Sequence, residues 1–105
     1  MADFEVVGKV GDFKPGEIRG VTVAGKDVAV VNLDGEWRAF TNLCSHQYVP
    51  LSNGYGYAKD KYVMCLLHTS VFNTETGAIM GGPAMLPLEI YDVRIEGEDV
   101  LVGKR

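Results

Sequence analysis

Apolar and polar residues alternate in short runs along this chain, and a turn signal interrupts them every several residues. That spacing predicts an all-β sandwich or barrel. Phe4-Glu5-Val6-Val7 opens the series, and Gly11, Pro15 and Gly16 break it. Strands are expected over 18–23 and 28–33, joined across Ala24-Gly25-Lys26-Asp27. Val28-Ala29-Val30-Val31 is apolar at consecutive positions, so both faces of its pleat need cover and the strand should be central. Asp34-Gly35 tolerates the positive φ of a tight hairpin and hands over to a strand at 36–40. Strands at 88–95 and 100–102, separated by Glu96-Gly97-Glu98-Asp99, predict a closing hairpin. No stretch keeps a helical period over ten residues.

The middle of the chain has a different texture. Between 42 and 87 the runs shorten and glycines gather (Gly54, Gly56, Gly77, Gly81, Gly82). The expectation is one domain over 1–105, with a small lobe at about 42–87 inserted between two halves of a β base, 1–41 and 88–105. Trp37 reads as a core or surface-packed aromatic, and Tyr55, Tyr57 and Tyr62 as packing residues of the lobe.

Composition narrows the partners. At 105 residues, with 47% hydrophobic and 23% charged side chains, the chain resembles an ordinary globular domain able to bury a core without disulfides. A net charge of −4 with scattered acidic residues argues against nucleic acid, which asks for a basic stripe. No apolar run is long enough to cross a membrane as a helix. Met1-Ala2-Asp3-Phe4-Glu5 lacks the basic and apolar regions of a signal peptide, so a cytoplasmic location is expected. Nothing demands more than a monomer.

The candidate chemistry sits in that glycine-rich middle. The only two cysteines and two histidines fall into two tight pairs, Cys44-Ser45-His46 and Cys65-Leu66-Leu67-His68, with 18 residues between them. In a reducing compartment, metal or redox chemistry is favoured over a disulfide. Zinc bound by all four is chemically possible, although the spacings differ from those usual in structural zinc sites. Two pairs, each offering one thiolate and one imidazole, suit a bimetallic site whose metals receive different ligands. In a Rieske 2Fe–2S centre one iron takes two cysteines and the other two histidines. No phosphate-binding glycine loop, flavin or nicotinamide fingerprint, or serine–histidine–acid set is present. The chain reads as an electron-transfer component and not an enzyme.

Cys44-x-His46 followed by Cys65-x-x-His68 resembles the ligand pattern of the Rieske family. Gly54 and Tyr55, the run from Phe72 to Gly77, Gly82-Pro83-Ala84, Leu86-Pro87-Leu88 and Tyr91-Asp92-Val93-Arg94-Ile95 are similar to stretches of bacterial Rieske-type ferredoxins. The resemblance implies that Cys44 and Cys65 bind one iron, that His46 and His68 bind the other, and that Pro83 belongs to a loop covering the cluster. It further implies a carrier that takes electrons from a flavin-containing, NAD(P)H-dependent reductase and passes them to the terminal oxygenase of an aromatic-ring-hydroxylating system. The alternative is a small subunit of a larger reductase of the nitrite reductase type, or a zinc-stabilised interaction domain.

Two departures bear on the potential. The high-potential members carry an extra cysteine in each ligand loop and a tyrosine four residues after the second histidine. This chain has no spare cysteine, and Phe72 stands at the tyrosine place. Fewer hydrogen bonds to cluster sulfur imply a potential low in the Rieske range of about −150 to +300 mV. Ser70 is either a donor that lifts it somewhat or a solvent-bonded loop hydroxyl. Tyr48, Val49, Pro50, Leu66, Leu67 and Met85 flank the ligands, as shields or as an apolar docking collar.

Overall fold

The apolar run 28–31 does what its pattern demands. Val28 and Val30 enter one core, with Phe13, Val23, Ala39, Tyr91, Val100 and Val102. Ala29 and Val31 enter another, with Phe40, Leu51, Val63, Cys65 and Phe72. All four are without solvent exposure, so one strand serves two cores through the two-residue period of its pleat. The computed structural model of the chain describes residues 4–42, 51–52, 56–66, 70–82 and 87–104.

A six-stranded antiparallel sheet takes its strands from both ends of the chain: β1 (Phe4–Lys9), β2 (Arg19–Val23), β3 (Lys26–Leu33), β4 (Glu36–Thr41), β9 (Ile90–Glu96) and β10 (Asp99–Lys104), in the order β1-β10-β9-β4-β3-β2. It curls until its outer strands approach, and Ala24, just after β2, donates its backbone N–H to the Glu5 carboxylate on β1 at 3.3 Å. A four-stranded sheet, β5 (Gly56–Lys59), β6 (Tyr62–Cys65), β7 (Ser70–Asn73) and β8 (Ile79–Gly81), lies between β4 and β9 in sequence. Because β4 and β9 are themselves paired, at Ala39↔Tyr91 and Phe40↔Ile90, the chain leaves the large sheet and returns at adjacent points.

The turns follow their chemistry. Asp34 and Gly35 both take positive φ, 53° and 95°, in a two-residue hairpin. The β2–β3 connection is tighter than the four residues expected. Ala24 and Gly25 alone turn the chain, at φ 51° and 78°, and Lys26 and Asp27 are already in β3. Trp37 packs edge-on against Phe13, with ring centroids 5.5 Å apart, as a surface-packed aromatic. Tyr57 departs from expectation. By alternation it points away from the core that takes Ala58, and half of it is exposed.

Candidate metal centre

The site is built from two short stretches whose ends are tied by described residues. Cys65 closes β6, and its thiol is fully enclosed. Directly opposite in the ladder stands Ser70, the first residue of β7, equally enclosed. The four residues 66–69, which include His68, therefore connect two strand positions held side by side. The first stretch, 43–50, carries Cys44 and His46. It starts after Asn42 and ends before Leu51, whose N–H donates to the Asn42 carbonyl at 3.2 Å. Cys44, His46, His68 and Pro83 themselves lie outside the described residues.

Gly56 joins the two feet. It is the ladder partner of Cys65. A methyl group on it would come 2.5 Å from the Leu51 carbonyl oxygen and 3.0 Å from Leu51 Cβ. Only glycine lets the backbone after the first stretch approach the strand beside the second so closely. The foot of one candidate stretch is thereby packed against the foot of the other, in the core that also holds Cys65 and Phe72.

Several flanking residues resolve. Ser70 is a buried strand residue, so the reading of it as a solvent-bonded loop hydroxyl fails. Phe72 is wholly buried beside Val63, so the ring at the tyrosine place serves packing. Leu66, next to Cys65, is half exposed and falls on the collar side of the two readings. Tyr48, Val49, Pro50, Leu67 and Met85 lie outside the described residues. Gly82, just after β8, takes a φ of 86°. Sequence reasoning passed over Asn42, Leu51 and Gly56. The one available signal was a glycine inside a strand pattern, which marks a close backbone approach.

The model of the Rieske [2Fe-2S] domain matches residues 3–92, from before β1 into β9. This chain belongs to the Rieske family. Its cofactor is a Rieske-type 2Fe–2S cluster, and its role is electron transfer. The biphenyl dioxygenase ferredoxin subunit of Pseudomonas sp. (strain KKS102) is 41% identical over 93 residues, 89% of this chain and 84% of that protein. Among solved structures, the ferredoxin of carbazole 1,9a-dioxygenase from Nocardioides aromaticivorans IC177 superposes with a TM-score of 0.88 at 32% identity, over 97% of this chain and 98% of that one. A ferredoxin-type match at 28% identity and a TM-score of 0.84, covering 95% of this chain and 92% of the other, comes from a complex of reduced oxygenase and oxidized ferredoxin in carbazole 1,9a-dioxygenase. A putative NADH-dependent nitrite reductase small subunit from Mycobacterium tuberculosis shares the fold (TM-score 0.88, covering 100% of this chain and 97% of that one) at 18% identity. At that identity the likeness speaks for the fold alone.

The residues present fit the cofactor. Cys65 offers a thiol sealed from water at a strand end, the soft donor that iron–sulfur clusters require. Beside Cys65 the chain has one further thiol and two imidazoles, the number and type of donors that the two-plus-two demand of a Rieske centre asks for. A family defined by an iron–sulfur cluster leaves the zinc-stabilised alternative without support.

Proposed function

We propose that this protein is the soluble, cytoplasmic, monomeric ferredoxin of an aromatic-ring dioxygenase system. It takes one electron at a time from a flavin-containing, NAD(P)H-dependent reductase and delivers it to a terminal oxygenase. The reading assigns Cys44 and Cys65 to one iron and His46 and His68 to the other, with Pro83 in the covering loop. It also takes residues 1–105 as one Rieske domain, the lobe at about 42–87 set into a base of 1–41 and 88–105. When bound, the cluster supplies a single reversible redox step; everything else falls to the protein.

The observation that carries the reading is the meeting of both ligand-bearing feet at Gly56, held by a core that closes around Cys65. Feet fixed by ladder pairing at Cys65 and by the backbone bond between Leu51 and Asn42 hold the ligands in place between the two oxidation states, which keeps reorganisation small. Burial of Cys65 and Ser70 keeps water off the sulfur side. Exposed Leu66 offers an apolar contact beside the second stretch, suited to brief, wet docking by an electron-transfer partner. Support for the partner comes from the relative that is a dioxygenase ferredoxin subunit and from the neighbour found with its oxygenase. Among the described residues no helix is long and apolar enough to cross a membrane.

The test is a reconstituted chain. Anaerobically purified protein should be brown, bleach on NADH with a catalytic amount of a flavoprotein ferredoxin reductase, and recolour on an oxidised Rieske oxygenase. A brown protein that no such reductase bleaches would refute the carrier role while leaving the cluster intact.

A further inference from the structure

Asn42 is almost completely buried, and both ends of its carboxamide are hydrogen-bonded. Nδ2 donates to the Asp27 carboxylate at 3.1 Å and to Ser52 Oγ at 2.8 Å, while Oδ1 accepts the Ser52 N–H at 2.9 Å. Its backbone joins in: its N–H donates to the Asp27 carbonyl at 3.1 Å and its own carbonyl accepts from Leu51. One side chain thus ties the residue before stretch 43–50 to the residues after it, and anchors both to the start of β3. Gly20, on β2, stands over this knot, where a methyl group would lie 2.7 Å from Asn42 Nδ2 and 2.9 Å from Ser52 Oγ.

We propose that Asn42, with Asp27 and Ser52, is a positioning device for the metal centre. It sets the span and orientation of the first ligand-bearing stretch, and so the geometry at the iron atoms. The inference rests on the assignment of Cys44 and His46 as ligands. A loop of eight residues closed by a single backbone bond retains many arrangements, each with its own iron–ligand geometry. Two side-chain bonds across its foot, to Ser52, and a third from Asn42 to Asp27 on β3 restrict them. The demand is specific: glutamine is too long for the space under Gly20, and aspartate would set a second carboxylate against Asp27. Truncation to alanine is compatible with folding, because Asp27 is exposed and Ser52 half-buried on a groove of about 550 Å³ that water can enter.

The test compares holo-protein variants by the electron paramagnetic resonance line shape of the reduced cluster, the midpoint potential and the rate of iron release to a chelator. Asn42→Ala should broaden or shift the resonance, move the midpoint and raise release about tenfold or more, as loss of net hydrogen bonding of this size implies. Ser52→Ala, which keeps the backbone bond to Oδ1, should do the same more weakly. Asp27→Asn retains an acceptor for Nδ2 and should keep the native signature. Gly20→Ala removes no bond and wedges the clamp from outside, so it should reproduce Asn42→Ala. If these variants lower only the unfolding temperature and leave line shape, midpoint and release unchanged, the proposal falls. Should Asn42→Ala not fold, Ser52→Ala and Gly20→Ala decide the matter by the same readouts. Failure of the ligand assignment is separable, since it would show as a native cluster in Cys44→Ser.

Discussion

Replacing Gly56 by alanine is the sharpest structural test of how the feet of the two candidate stretches are joined. Gly56 is not among the residues at positive φ, so alanine meets no backbone penalty and any effect is steric. The new methyl would sit 2.5 Å from the Leu51 carbonyl oxygen, against an ordinary carbon–oxygen contact of about 3.3 Å, so something must yield by roughly 0.8 Å. The Ile18 methyl, 3.0 Å away, is the end of a flexible side chain and can turn aside. The Leu51 carbonyl is backbone, and its side chain is wholly buried. Overpacking of this kind costs about 1–3 kcal/mol, partly offset by the roughly 0.4–1 kcal/mol that Gly→Ala gains through the unfolded chain. A net loss of about 1–2 kcal/mol corresponds to a fall in Tm of about 5–15 °C for a domain of this size. Gly81→Ala is the control, because a methyl there meets nothing among the described residues within 4 Å and the same assay should find it neutral or slightly stabilising. Thermal unfolding of both variants, with the visible spectrum followed in parallel, gives the answer. A Gly56→Ala protein that melts with the wild type, or a Gly81→Ala protein that falls as far, would refute the reasoning.

Other expectations follow from the same contacts. Phe72→Ala empties a fully buried position between the two sheets and should cost about 3–5 kcal/mol by denaturant titration. A loss below about 1 kcal/mol would mean the ring is not part of the core. Cys65→Ser should yield colourless protein with little bound iron. Ser70→Ala should lower the midpoint by tens of millivolts, since about 1.4 kcal/mol in a one-electron couple is 59 mV; an unmoved midpoint would remove Ser70 from cluster tuning.

The Tyr91–Glu89 pair gives a pH test remote from the metal. Burial, then the bond its hydroxyl donates to Glu89 at 2.7 Å, pushes Tyr91 from 10.0 up to about 12. The folded state favours the protonated phenol, so this contribution is complete below pH 10.0 and is lost as pH rises through about 12. The same bond holds Glu89 below its ordinary 4.5, so its contribution is present above that value and lost as pH falls beneath it. Ultraviolet titration should show a late phase from Tyr91, and Glu89→Gln should bring it part of the way back, because burial is the larger cause. A late tyrosine that Glu89→Gln does not move would contradict the pairing.

Much of the fold was legible because periodicity and turn chemistry agree. Val28–Val31 announced a strand covered on both faces, and Asp34-Gly35 placed its hairpin to the residue. The β2–β3 turn was drawn too wide because Lys26 and Asp27 are polar; they are exposed at the start of a strand, which polarity cannot distinguish from a loop. Tyr57 was misassigned because an aromatic residue suggests burial, yet alternation with Ala58 puts it on the outer face of β5. The candidate donors were legible from scarcity alone, since two cysteines and two histidines in two pairs invite few explanations; Cys44, His46 and His68 lie outside the described residues. The joint that unites the two feet was not. Gly56, Leu51 and Asn42 are ordinary residues whose roles come from distances across the fold, and no local pattern encodes a 2.5 Å approach or a carboxamide shared between β3 and Ser52.

The most direct test of the central claim is pulsed electron paramagnetic resonance on the reduced protein grown with ¹⁵N-histidine. The account predicts two strongly coupled imidazole nitrogens, with Cys44→Ser and Cys65→Ser each abolishing the signal. A reduced cluster coupled to no histidine nitrogen, or to only one, would contradict it.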